Sequence, residues 1–245
     1  MPNLMHNWLE FNGQKSTDLG LTVERIPNSN RPARKYDRYS VPGRNGDIFV
    51  FQDAWENIEQ SYEICWKGTP VDTGYSIAEW LFGSSGYQML TDSYDPLHYR
   101  NAVFLGPYDV ENTLMRYGRA TITFDCDPRR FLMSGLEWID LPVPPSEGLE
   151  VLNPTPFPAK PVYDVTITPG MISNIRVVSE SGTATLLTIN KPGHFIVDSG
   201  KESIVDENGD PAFNSTWGTF PTIYPGVSLL NPQQNGKVQP NWWTL

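Results

Sequence analysis

Asparagine followed by glycine occurs four times in this chain, at Asn12-Gly13, Asn45-Gly46, Asn208-Gly209 and Asn235-Gly236. The dipeptide constrains the fold because a tight type I′ turn needs positive φ at both central residues, which this pair adopts at low cost. Each copy lies between apolar stretches, so the sequence predicts four hairpins or near relatives of hairpins. Strand-like alternation supports them. Leu19, Leu21 and Val23 oppose Gly20, Thr22 and Glu24, Val165 and Ile167 oppose Asp164, Thr166 and Thr168, and Thr185, Leu187 and Ile189 oppose Leu186, Thr188 and Asn190. Ile48 to Phe51 is apolar on both faces, the pattern of a strand covered on two sides.

One short helix is predicted. Ser76-Ile77-Ala78-Glu79 has capping-box spacing, Tyr75 and Trp80 stand where a hydrophobic staple would, and Gly83 with Gly86 supplies the stop. Ile77, Trp80 and Leu81 then share one apolar face. Seven prolines, at positions 142, 144, 145, 154, 156, 158 and 161, favour extended backbone and deny ladder donors, which predicts a linker or irregular crossing there. A chain of 245 residues is long enough for two domains of ordinary size. The expected division is 1–138, an N-terminal β domain with the helix, and 139–245, an all-β sandwich closed by the bulky terminus Trp242-Trp243-Thr244-Leu245.

The net charge of −10 argues against grip on a phosphate backbone or an anionic membrane. No run of eighteen apolar residues exists, and the first eight residues lack the charged head and apolar middle of a signal peptide, so a protein made in a reducing cytoplasm is expected. Only Cys65 and Cys126 are present, too few for a disulfide framework and too far apart for metal spacing. Cys126 continues the core face of Ala120, Ile122 and Phe124, whereas Cys65 shares the face of Glu63 and Lys67.

Catalytic chemistry leaves no convincing trace, and neither cofactor nor metal is expected. Gly83-Ser84-Ser85-Gly86 lacks the spacing and the preceding strand of a nucleophile elbow and reads as a helix stop. His6, His98 and His194 are scattered, without metal spacing, and read as surface or turn residues. Asp206-Glu207-Asn208-Gly209-Asp210 has its glycine too early for a calcium loop and reads as a solvated turn. Asp125 and Asp127 bracket a strand exit before Pro128.

A basic run stands against this acidic background. Arg31, Arg34, Lys35, Arg38 and Arg44 fall within fourteen residues with Asp37 between them. The Pro42-Gly43 and Asn45-Gly46 turns place the run on a projecting hairpin, so Arg34, Lys35, Arg38, Val41, Pro42, Gly43, Arg44, Asn45 and Gly46 form a candidate intersubunit arm that could meet the acidic surface of a neighbouring copy.

Six segments, taken in order, resemble the distal tail protein family of long-tailed, non-contractile phages. They are Phe11-Asn12-Gly13 with Ser16, Asp18, Gly20 and Leu21; Val41-Pro42-Gly43-Arg44-Asn45-Gly46; Trp80-Leu81 with Tyr87 to Leu90; Gly118 to Phe124 with Pro128 and Phe131; Asn153-Pro154-Thr155 with Pro161; and Phe220-Pro221 to Pro225-Gly226 with the Trp-Thr-Leu ending. The family commonly ends in Pro-Arg-Trp-Arg-x-Leu, where this chain has Pro240-Asn241-Trp242-Trp243-Thr244-Leu245, and commonly follows the Pro-Gly with an asparagine, here Ser228.

The resemblance implies a non-enzymatic homohexameric ring in the virion tail tip, or baseplate. It joins the tail tube protein to a tail-associated fibre or lysin protein, with a channel for DNA. The N-terminal domain would build the ring, the hairpin around Val41 to Phe51 would wrap a neighbour, and the C-terminal domain would be a galectin-like sandwich that also carries receptor-binding proteins in some relatives. The competing reading is an adhesin module that binds host cell-wall saccharide, which eight tryptophans permit.

Overall fold

The computed structural model describes residues 7–25, 30–68, 70–107, 110–114, 117–141, 148–170, 173–232 and 235–245. They gather into two compact units that divide between Arg130 and Phe131, each built round its own hydrophobic core. Both are mainly β, with one α-helix among the described residues.

The first unit begins with Leu9–Phe11 (β1), Gln14–Lys15 (β2), Leu21–Val23 (β3), Arg34–Tyr39 (β4), Ile48–Trp55 (β5) and Ile58–Lys67 (β6). After the helix Pro70–Phe82 (α1) come Gln88–Asp92 (β7), His98–Phe104 (β8), Val110–Leu114 (β9) and Tyr117–Cys126 (β10). All except β4 and β5 join one antiparallel sheet in the order β2-β1-β7-β8-β10-β6-β3, with β9 also on β10. Asn12-Gly13 makes the predicted turn between β1 and β2, with φ of 53° and 75° and Phe11 opposite Gln14.

The longest ladder pairs β6 with β10, from Ile58 opposite Cys126 to Lys67 opposite Tyr117. Its alternation gives one dry and one wet face: Tyr62, Ile64 and Trp66 pack with Ala120, Ile122 and Phe124, while on the other side the Ser61 and Thr123 hydroxyls meet at 2.8 Å. Phe124 is central, with its ring 4.8 Å from Phe11, 5.9 Å from Phe104 and 6.1 Å from Tyr62. The helix covers this face with Ile77, Trp80 and Leu81, as its spacing predicts. Trp80 also donates its indole N–H to the Phe11 carbonyl at 3.0 Å, which satisfies the one polar atom of a buried ring.

The helix starts well before Ser76. Proline suits a first helical position because its missing N–H would be unpaired there anyway, and Asp72 in the first turn complements the helix dipole. Ser76 is therefore interior, with its hydroxyl donating back to the Asp72 carbonyl at 3.3 Å instead of capping. Tyr75 is exposed and does not staple onto Trp80. The helix ends at Phe82, immediately before Gly83.

The strands of the second unit are Arg130–Leu132 (β11) at the boundary, Ile139–Leu141 (β12), Leu149–Asn153 (β13), Val162–Ile167 (β14), Ser173–Ser179 (β15) and Ala184–Ile189 (β16). Gly193–Asp198 (β17), Ser203–Asp206 (β18), Thr216–Gly218 (β19), Gly226–Pro232 (β20), Gly236–Gln239 (β21) and Trp243–Thr244 (β22) complete it. Two five-stranded antiparallel sheets, β12-β21-β14-β17-β18 and β13-β20-β15-β16-β19, share one core between them. Tyr163, Val165 and Phe195 reach it from one sheet and Ile175, Leu187 and Leu230 from the other, which is the expected sandwich.

Two sequence expectations fail here for definable reasons. Asn235-Gly236 does not turn a hairpin: β20 and β21 lie in different sheets, so the chain crosses the sandwich at this point. Within the proline-rich region, residues 142–147 lie outside the described residues, but Leu149–Asn153 is a regular strand, because it contains no proline and pairs in full with β20. Residues 154–161 remain irregular apart from a bridge between Ala159 and Ile223. Asn208-Gly209 does sit in a reverse turn, with Gly209 N–H bonded to the Asp206 carbonyl at 2.9 Å.

The closing segment is tied down at every residue from 241 to 243. Asn241 N–H donates to the Gly135 carbonyl and Leu132 N–H to the Trp242 carbonyl, both at 2.9 Å. Trp242 is buried in the second core, and Trp243 stacks on Phe157 at 4.3 Å while its indole N–H donates to the Pro158 carbonyl at 2.8 Å. Replacing Trp242 with Ala is expected to cost about 3–5 kcal/mol, as for other buried aromatic rings. Urea unfolding followed by circular dichroism measures it. A variant as stable as the parent would show that the terminus is not a core element.

Candidate functional site

The basic run and the apolar run that follows it are brought together as β4 and β5. They form a two-stranded antiparallel ribbon separate from the sheet of the first unit. Tyr39 opposes Ile48 at the head of the ladder, and the loop 40–47 closes it. Val41-Pro42-Gly43-Arg44 folds as a tight turn: Arg44 N–H donates to the Val41 carbonyl at 3.1 Å, proline sets the first central position, and Gly43 has the φ of 79° that the second requires. Gly46 also has positive φ, but Asn45 does not, so Asn45-Gly46 belongs to the loop and is not a two-residue hairpin turn.

Cross-strand pairing sorts the side chains into two faces. Tyr36 opposes Phe51 and Arg38 opposes Phe49; past a register shift, with Asp53 at a φ of 50°, Arg34 opposes Trp55. One face is therefore a ladder of aromatic rings and cations. The Tyr36 ring lies 5.4 Å from Phe49 and 6.3 Å from Phe51, and the Arg34 guanidinium lies 4.9 Å from the Trp55 ring and 5.9 Å from Phe51. The other face carries Lys35, Asp37 and Tyr39 beside Ile48 and Val50. Arg38 is ion-paired with Asp47, and Gln52 donates to Asp37 at 3.1 Å.

The ribbon corrects one expectation. Ile48 to Phe51 is apolar on both faces, yet the chain covers neither face: Phe49 is 47% exposed, Phe51 54% and Tyr36 49%. Exposed aromatic side chains gathered on one hairpin make it a candidate interaction surface. The sequence marks the cations and the turn as the candidate arm. The candidate arm leaves out Tyr36 and Trp55, and Phe49 and Phe51 enter only through the hairpin around Val41 to Phe51 that the resemblance implies.

Outside the ribbon, the cysteines, His98, His194, Asp125 and Asp127 are each buried or partnered within the fold, and His6 lies outside the described residues. Burial pushes the Cys126 thiol up to about 12. The Cys65 thiol is also raised, by burial first and then by the Glu24 carboxylate, so neither favours a reactive thiolate. His98 and His194 are strand residues, not turn residues, and each meets a carboxylate: His98 Nδ1 lies 2.8 Å from Asp95 and His194 Nε2 lies 2.7 Å from Asp164. Burial tends to raise the Asp95 pKa, but hydrogen bonds from His98 and from Arg130 Nε, the latter at 2.6 Å, outweigh it and hold the carboxyl below its ordinary value. Asp127 chelates the Arg129 guanidinium at 2.6 and 2.9 Å, and Asp125 accepts from the Asn57 amide at 2.6 Å. Among the described residues no group of three or more His, Cys, Asp or Glu side chains is arranged to hold a metal ion.

No family model matches the chain, and no curated protein sequence matches it. Among solved structures it is similar to SPP1 Dit (gp 19.1), described as a paradigm of the hub adsorption apparatus in phages that infect Gram-positive bacteria. The TM-score is 0.71 at 13% identity, over 98% of this chain and 99% of that one, so the two share a Dit-like fold along their whole length.

Two outcomes follow from this geometry. Because the ribbon lies outside both cores, the double variant Phe49→Ser, Phe51→Ser should melt within about 2 °C of the parent, the range of exposed substitutions. A large drop in differential scanning fluorimetry would mean the ribbon packs on its own chain. Asp95 has a depressed pKa, so its contribution to stability is full above the ordinary carboxylate value and is lost as pH falls below about 4, through the folded value. The stability gap between the parent and Asp95→Asn should therefore narrow from pH 7 to pH 3 in urea titrations, and a constant gap would exclude the ion pair as its source.

Proposed function

We propose that this chain is a distal tail protein, the hub of a phage tail tip, acting through geometry and without catalysis. The observation that carries the reading is the bare ribbon on a chain of this fold. Apolar side chains on both faces of β5 require cover that the chain does not supply, and a second copy is the most economical source. A contact of this kind, arm on neighbour, is heterologous, and it generates a ring when the rotation closes.

In this reading six copies form the ring, with residues 1–138 building it and 139–245 facing outward. One ring face docks on the tail tube protein and the other on a tail-associated fibre or lysin protein, and the outer domain is the place for receptor-binding proteins. The protein would be made in the host cytoplasm and end in the virion tail tip. A charge of −10 per copy gives −60 over six copies, and a share of it along the channel would let DNA pass without sticking.

A second reading, an adhesin for cell-wall saccharide, is favoured by Trp217, which is 59% exposed on the edge strand β19. Negative-stain microscopy of the purified protein separates the two. Sixfold rings that disappear in the Phe49→Ser, Phe51→Ser variant are expected. A monomer that binds cell-wall polysaccharide, or rings that form equally well without the two aromatics, would overturn the hub reading of the ribbon.

A further inference from the structure

The ribbon needs a specific landing surface, and the first unit presents one whose chemistry mirrors it. The outward face of α1 consists of Asp72, Tyr75, Glu79 and Phe82, spaced three, four and three residues apart, which lays them in a single stripe along the helix. All four are exposed, Tyr75 at 70% and Phe82 at 57%. The opposite face is the buried Ile77, Trp80 and Leu81, so this stripe is not a misplaced core. Phe82 is held in place by an edge contact with Phe104 at 5.0 Å, a preformed aromatic anchor of the kind found at the centre of interfaces.

We infer that this stripe is the seat for the ribbon of a neighbouring copy. The inference rests on the hub reading and adds its docking surface. The two surfaces match in three respects. In charge, the helix carries Asp72 and Glu79 with no lysine or arginine, while the aromatic face of the ribbon carries Arg34 beside Arg38, the latter ion-paired with Asp47. In apolar content, the helix alternates acid with aromatic and the ribbon alternates cation with aromatic, so rings meet rings while charges meet their opposites. In length, Asp72 to Phe82 spans about 15 Å of helix, and the three ribbon rows Arg34/Trp55, Tyr36/Phe51 and Arg38/Phe49 span roughly 13 Å. A helix and a two-stranded ribbon of equal length can lie side by side over their full extent.

Site-specific photo-cross-linking tests the seat. Phe51 is replaced by p-benzoylphenylalanine in ¹⁵N-labelled protein, which is mixed with unlabelled parent, irradiated and digested. Heavy-to-light cross-links should land on the segment 72–82. Rings seen by microscopy with heavy-to-light cross-links elsewhere would overturn the seat and leave the ring standing. Absence of both rings and heavy-to-light cross-links would overturn the hub reading as well. A charge exchange gives an independent readout: Glu79→Arg and Arg34→Glu should each raise the concentration at which assembly is half complete by roughly tenfold, and the pair together should recover most of the loss. Both positions are exposed, so circular dichroism of each variant should match the parent. No change in the assembly midpoint for Glu79→Arg would assign the stripe to a different occupant, such as the tube protein.

Discussion

A ribbon of two strands has two faces and no third layer. When both faces carry aromatic or branched side chains, the backbone ladder cannot shield either, and an isolated hairpin of this kind is marginal in water. Everything distinctive about this chain turns on that constraint. The two cores are complete without β4 and β5: Phe124 and its ring partners fill the first, and the two sheets of the second unit close on Tyr163, Phe195 and Ile175. No residue of the ribbon belongs to either core, which leaves its apolar side chains for the partner proposed above.

Much of this was legible in the residues, and where it was not the reason is physical. Asn12-Gly13 and Val41-Pro42-Gly43-Arg44 folded as their local chemistry dictates, because both turns are decided by backbone torsion within four residues. The alternation of Ala120, Ile122, Phe124 and Cys126 fixed a strand with one dry face for the same local reason. Asn235-Gly236 failed because its flanking strands belong to different layers, a long-range fact that a dipeptide cannot encode. The start of α1 was misplaced because Ser76-Ile77-Ala78-Glu79 has the spacing of a cap and yet lies inside a helix that Pro70 and Asp72 had already begun. Propensity is a weak prior against packing, and the buried Ile77, Trp80 and Leu81 hold the helix in either register.

The candidate site was half legible. Cations and glycines announce themselves, so Arg34, Arg38 and Gly43 were found. The exposed state of Phe49 and Phe51 was not, because an apolar run gives the same signal whether its cover comes from its own chain or from another. Only the exposures distinguish the two cases, and these place the apolar run on the surface.

The arm also bears on how an assembly could count. On the proposed reading each copy brings one arm and one seat. An open chain of two, three or five copies then always has one bare arm at one end and one empty seat at the other, whatever its length. Only closure removes both at once, and the closing contact forms within a single particle, at an effective concentration set by the curvature of the chain rather than by the amount of free protein. Incomplete arcs would remain sticky and short-lived, and the finished ring would be the one species with nothing left to bind through its arms.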